Sequence, residues 1–184
     1  MEWTGARYAD KPTVEARIWI DAPPARVWRL VSDVGLMPSL SSELQSVEWL
    51  GGAREAALGA RFTGRSKHEA LGEWATTSYV VEFEPERVFG WAVQDPANPG
   101  ALWRFRLEPR EGGTELSEWV QMGPARSGLS LAIDRMPDKE QKIVFVRLRE
   151  FEASMEATLA TIKRLAEGTA RPLWSPTRWC WPPR

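Results

Sequence analysis

The chain has one cysteine, Cys180, one histidine, His68, and only two tyrosines in 184 residues. A lone cysteine excludes an intrachain disulfide and points to a reducing compartment. One histidine and one cysteine cannot build the usual nitrogen and sulfur zinc site, so no metal is expected. No segment approaches the roughly 20 apolar residues of a membrane-spanning helix, and the opening MEWTGARYADKP is too polar for a secretory leader. Neither sign of charge dominates. The formal net charge is −1, which argues against a nucleic-acid partner, because phosphate binding needs concentrated positive charge. The glycine-rich fingerprints GxxxxGK[ST] and GxGxxG are missing, so no nucleotide cofactor is expected. A G-x-S-x-G elbow is missing too, and a single histidine leaves a Ser–His nucleophile without support. These absences predict a soluble, cytoplasmic protein without cofactor or metal.

What is present is a core. Hydrophobic residues make up 43% of the chain and charged residues 27%, the balance of a folded domain. The 11 tryptophans supply large apolar faces, each with one N–H donor, and suit walls where an apolar interior meets a polar opening. The length predicts one domain over residues 13–167, with a lead-in at 1–12 and a tail at 168–184.

Along the chain, Val14, Ala16, Ile18 and Ile20 alternate with Glu15, Arg17 and Trp19, which predicts a strand with one buried face. Asp21 is a candidate helix cap, with Pro23 and Pro24 in the first turn. Val27, Leu30, Val31 and Val34 then form an apolar stripe that stops at Gly35, and a second short helix is expected over 36–42, bent at Pro38. Strands are expected at 44–50, 59–68, 73–84, 86–94, 101–108 and 114–122, punctuated by Gly and Pro turns. Segment 124–141 reads as a connection. From Ile143 to Glu167, Val144, Leu148, Phe151, Met155, Leu159, Ile162 and Ala166 share one helical face, opposite Arg149, Glu152, Glu156, Lys163 and Arg164. A strand, two short helices, six strands and a long helix make an α+β helix-grip fold. Its curved seven-stranded antiparallel sheet wraps a long C-terminal helix, and the short pair plugs one end.

The stretches IDAPPARVWRLVSDVGLMPSLSSELQSVEWLGG, GARFTG, EWATTSYVVEFEPERVFGWAV, WRFRLEP and GGTELSEW resemble, in order and spacing, the START-like superfamily of Bet v 1-type folds. The likeness is greatest to its polyketide cyclase/dehydrase and lipid transport branch, and it covers residues 13–167. It implies a hydrophobic cavity between sheet and helix that takes lipids, polyketides or similar molecules. Only some members of the superfamily are enzymes.

Strand alternation then nominates residues for such a cavity. Phe62, Gly64, Ser66 and His68 oppose the charged Arg61, Arg65 and Lys67. Trp103, Phe105 and Leu107 oppose Arg104, Arg106 and Glu108. In 73–84 the inward set is taken as Ala75, Thr77, Tyr79, Val81 and Phe83, with Trp74, Thr76 and Ser78 as the rival face. In 86–94 the set containing Trp91 competes with Val88, Gly90 and Ala92. From the long helix, Phe151 and Met155 are expected at the cavity. Glu118 shares parity with Leu116, Val120 and Met122, and a carboxylate there is costly unless paired or protonated. Glu118, Tyr79, His68 and Ser66 are therefore the candidate catalytic groups.

The expected function is binding of a hydrophobic small molecule. The alternatives are a polyketide cyclase/dehydrase-type enzyme using those acid and base groups, or a regulatory interaction protein. That last reading rests on TARPLWSPTRWCWPPR at 169–184, whose tryptophans, prolines and arginines suit weak membrane or protein contact.

Overall fold

Residues 2–168 are described by a computed structural model. Seven strands form one antiparallel sheet: β1 Thr13–Ile20, β2 Leu44–Leu50, β3 Arg61–His68, β4 Gly72–Glu84, β5 Val88–Asp95, β6 Asn98–Arg110 and β7 Gly113–Met122. Their order is β1-β7-β6-β5-β4-β3-β2. Sequence neighbours pair from β2 to β7, through short turns after the longer 51–60 connection between β2 and β3, and β1 returns to pair with β7. The alternation read in β1 holds, since Val14, Ala16 and Ile20 are buried between exposed or half-buried partners.

The helix α1, Pro24–Val31, buries Val27 and Val31. Asp21 does not cap it. Pro23 stands at the cap position in extended conformation, and the Asp21 N–H donates instead to Glu167 Oε1 at 2.8 Å. Pro38 does not bend a helix either. A 3₁₀ turn at Val34–Leu36 leads into α2, Met37–Leu40, and Pro38 lies in its first turn, where a missing N–H costs little. The chain thus uses two prolines to start two short helices.

Two segments are more ordered than expected. Tyr8 sits in a 3₁₀ turn of the lead-in and is buried. Its hydroxyl is 2.8 Å from the Ala125 carbonyl, 3.0 Å from Ser127 Oγ and 3.3 Å from the Gly100 carbonyl. The connection after β7 contains a helix, α3, Gly128–Arg135, opened by a capping box on Ser127.

The long helix α4 runs Glu140–Glu167. Val144, Leu148, Met155, Leu159, Ile162 and Ala166 are buried as its stripe demands. Each such side chain contributes about 1.5–3 kcal/mol by leaving water. Its backbone runs closest to β1 and then β7, while α2 lies on β2. The helix therefore lies over the β1–β7 side of the inner face.

Candidate functional site

The inner face between α4 and the middle strands is a layer of rings. Trp49 of β2 meets Phe62 of β3 at 5.6 Å between ring centres, and Phe62 meets Trp91 of β5 at 6.3 Å. Trp91 stacks on Trp103 of β6 at 6.1 Å with planes 7° apart. Trp103 then meets Phe151 of α4 edge-on at 5.1 Å. Phe89 and Phe105 flank Trp91 at 5.4 and 6.0 Å. Trp49, Trp103 and Phe151 remain partly accessible while Phe62, Phe105 and Met155 are buried. Ser66 also points to this side, opposite Trp74 of β4.

The register corrects three residues expected to face the cavity from β4, Ala75, Thr77 and Tyr79. Phe62 stands opposite Ser78, and Gly64 opposite Thr76, so Trp74, Thr76 and Ser78 form the inner set of β4. Thr77 and Tyr79 belong to the outer face, where Tyr79 lies between Arg61 and Ala92. The cause is a bulge at 80–82. Val80 pairs with Trp91, yet the next partners are Glu82 with Gly90 and Phe83 with Phe89. One extra residue reverses the phase, so odd positions face in after it and even positions before it. The inner set of β5 is Phe89, Trp91 and Val93, facing Phe83, Val80 and Ser78.

Glu118 lies in β7 between Ala16 of β1 and Phe105 of β6. It is 6% exposed, and its Oε2 is buried without a hydrogen-bond partner. Burial alone raises its carboxyl pKa from the ordinary 4.5 to about 8. At neutral pH the side chain is therefore an uncharged acid, with one O–H to donate.

His68, at the end of β3, belongs to a different cluster. Arg147 of α4 donates from Nη1 and Nη2 to the two oxygens of Glu43, at 2.6 and 2.7 Å, and from Nη1 to Glu150 Oε2 at 2.9 Å. His68 Nε2 stands 3.5 Å from Glu150 Oε2 and 3.9 Å from Glu43 Oε1. The guanidinium also lies 4.2 Å over the Phe151 ring. Burial works against the charge of Arg147, but the bonds and charges of Glu43 and then Glu150 outweigh it and raise its pKa.

The donor atoms of Glu43, His68 and Glu150 fall within 4.8 Å of one another, close enough for one cation to touch all three. Arg147 already supplies the countercharge. The Ala70 N–H donates to His68 Nδ1 at 3.2 Å, so the proton of a neutral imidazole sits on Nε2, facing the carboxylates. A metal ligand needs that nitrogen bare. The cluster is a polar clasp joining α4 to the start of β2 and the end of β3.

Sequence reasoning missed Arg147 because arginine on a helix usually faces water. Its position, three residues after Val144 and four before Phe151, places it within the apolar stripe and marked it as buried. The tail at 169–184 lies outside the described residues. No helix among those described is long and apolar enough to cross a membrane.

Residues 11–167 match the model of a family described as polyketide cyclase / dehydrase and lipid transport. A polyketide-cyclase-like protein from Corynebacterium glutamicum, known from a solution structure, is 32% identical, with 83% of this chain and 90% of that one aligned at a TM-score of 0.59. The di-domain ARO/CYC StfQ of the steffimycin biosynthetic pathway superposes at a TM-score of 0.66 with 14% identity. That match covers 85% of this chain but 50% of StfQ, so it bears on the fold alone. Ara h 8.0201 shares the same architecture at a TM-score of 0.53 and 14% identity. No curated protein matches the chain. The helix-grip architecture, the family-model match and the 32% identical relative place this chain in the polyketide cyclase/dehydrase and lipid transport family of the START-like superfamily.

Proposed function

We propose that the chain binds a hydrophobic small molecule, lipid-like or polyketide-like, between the inner face of the sheet and α4. The observation that carries this reading is the ring layer from Trp49 to Phe151, which stays partly accessible although it faces inward. A core built only for stability would bury its largest rings. Here Trp49, Trp103 and Phe151 stay only partly buried, as the wall of an apolar site does. The family and the relatives with the same fold support the reading. Native against denaturing mass spectrometry of protein from its own cells tests it. A compound held in the native spectrum and released on denaturation is the expected result. No such compound, together with no saturable uptake of flat apolar probes, overturns it.

Glu118 favours a second reading, a cyclase/dehydrase-type enzyme. A neutral carboxylic acid in an apolar site can protonate a carbonyl oxygen as an enolate carbon attacks the carbonyl carbon, leaving an alcohol and a carboxylate. Conversion of a poly-keto substrate by the wild type, lost in Glu118→Gln with binding retained, is the outcome this reading requires.

A further inference from the structure

An open strand edge presents unpaired N–H and C=O groups, and so a template on which another chain can pair. The outer edges of this sheet are guarded. The helix α4 lies along β1, and β2 carries Glu48 and a break in register between Leu44 and Ser46. A third edge lies within the sheet. The β4–β5 ladder ends at Ser78 and Val93, whereas β4 runs on to Gly72 with partners in β3 alone. From Trp74 to Tyr79 this edge has neither a charge nor a proline, the two usual guards against strand addition.

Gln94 makes the split. Its φ of 70° is left-handed, and the register of β5 with β6 shifts beside it, so the strand turns away from β4. The Gly123 and Ala125 N–H groups donate to the Gly100 and Pro99 carbonyls at 2.9 and 3.0 Å, which holds the β5–β6 turn off β4. Between them lies a concavity of about 450 Å³, with Ala75, Thr76, Thr77 and Tyr79 on one wall and residues 94–96 on the other. Thr76 belongs to the inner set of β4 and Thr77 to the outer, so the opening follows the edge of the strand rather than one face. A cleft walled on both sides admits a single extended strand but not the edge of a second sheet. Asp95 is the one charged residue of the lining, which holds no cation to offset it.

We propose that this split takes an extended peptide segment with a cationic side chain, which pairs its backbone with the free edge of β4 and sets its charge against Asp95. The site is separate from the ring layer, and the inference does not depend on the ligand-binding reading.

A fluorescein-labelled Val-Thr-Arg-Thr-Val peptide with a blocked C-terminus tests this on the full chain by fluorescence anisotropy, with amide hydrogen exchange as a second readout. It should bind saturably and slow exchange within residues 73–77. A strand presents alternate amides on each edge, so N-methylation of one alternate set should weaken binding more than about tenfold and of the other set less than about twofold. Replacing the peptide's arginine by glutamate, or Asp95→Asn in the protein, should each weaken binding about three- to fivefold. Asp95→Asn keeps an oxygen for the Ala97 N–H that Asp95 Oδ1 now accepts at 2.9 Å. Ala75 is exposed, so Ala75→Lys should leave the fold intact and, by placing a cation in the cleft, weaken the peptide further than Asp95→Asn does. Equal losses from both methylated sets, or no loss from either, overturn the inference, and so does tighter binding of the glutamate peptide. Slow exchange at 73–77 in a dimer without peptide assigns the edge to a second copy and overturns it too. No binding at about 1 mM peptide overturns it and leaves the ligand-binding reading standing.

Discussion

The guanidinium of Arg147 grips Glu43 through two parallel bonds, 2.6 and 2.7 Å long, and so ties the third turn of α4 to the residue that opens into β2. Breaking such a pair strands a buried charge, which costs about 3–5 kcal/mol where burial is complete. Glu43 keeps 23% of its side chain exposed, so water moderates the loss. Arg147→Met should destabilise the protein by roughly 2–3 kcal/mol in urea unfolding. In a double-mutant cycle with Glu43→Gln the two changes should be strongly non-additive. Additive losses would show that the clasp is decorative.

Glu118 makes stability depend on pH. Its folded pKa, about 8, lies above the unfolded 4.5. Between these values the unfolded chain has released the proton and the folded chain still holds it. Its contribution is therefore complete below pH 4.5 and falls away as pH rises towards 8. At 1.36 kcal/mol per unit, roughly 3 kcal/mol is lost by pH 7. Glu118→Gln has no such proton, so its melting temperature should exceed the wild type's by more at pH 7.5 than at pH 5. A constant difference across that range refutes the linkage.

A methyl group would be crowded to different degrees at Gly113 and Gly90. A Cβ on Gly113 would lie 2.2 Å from the Ile20 carbonyl oxygen, against backbone that cannot move without opening the β1–β7 pairing. A Cβ on Gly90 would meet the Glu82 side chain at 3.1 Å and the Trp103 carbonyl oxygen at 3.2 Å, where Glu82 accepts from Arg104 at 2.5 Å. Gly113→Ala should cost about 3 kcal/mol or more and Gly90→Ala about 1–2 kcal/mol, because the contacts at Gly90 are relieved by shifts of a few tenths of an ångström and that at Gly113 is not. Thermal denaturation of the two variants should preserve that order.

The lead-in is fastened by one hydroxyl. Tyr8→Phe leaves the ring in place but removes the bonds to the Ala125 and Gly100 carbonyls and to Ser127 Oγ. A loss of about 1–2 kcal/mol is expected. Protease cleavage within residues 2–12 should quicken in the variant. An unchanged cleavage rate would mean that ring packing alone holds the segment.

The strand order, the long helix and most facing assignments were legible because each rests on strict alternation or on a stripe of period 3.6. Phe62, Trp103 and Phe105 face inward as their charged neighbours on the same strands required. Thr77 and Tyr79 do not, because a bulge alters pairing without leaving a Gly or Pro mark between Val80 and Glu82. The carboxyl of Glu118 was visible from parity alone. The clasp of Glu43, His68, Arg147 and Glu150 was not, since it unites three distant stretches through contacts that no local pattern encodes.

The pairing of β1 with β7 has a consequence for how the chain is made. Thr13–Ile20 emerges first of the seven strands, but its sheet partner, Gly113–Met122, is the last of them, and α4, which lies along it, follows that. Until then Val14, Ala16, Ile18 and Ile20 have no sheet edge to join. Closure joins strands some hundred residues apart in the chain, which raises contact order and slows folding. The apolar edge of β1 is therefore the surface that a newly made chain must shield longest, and the point at which crowded refolding goes astray first.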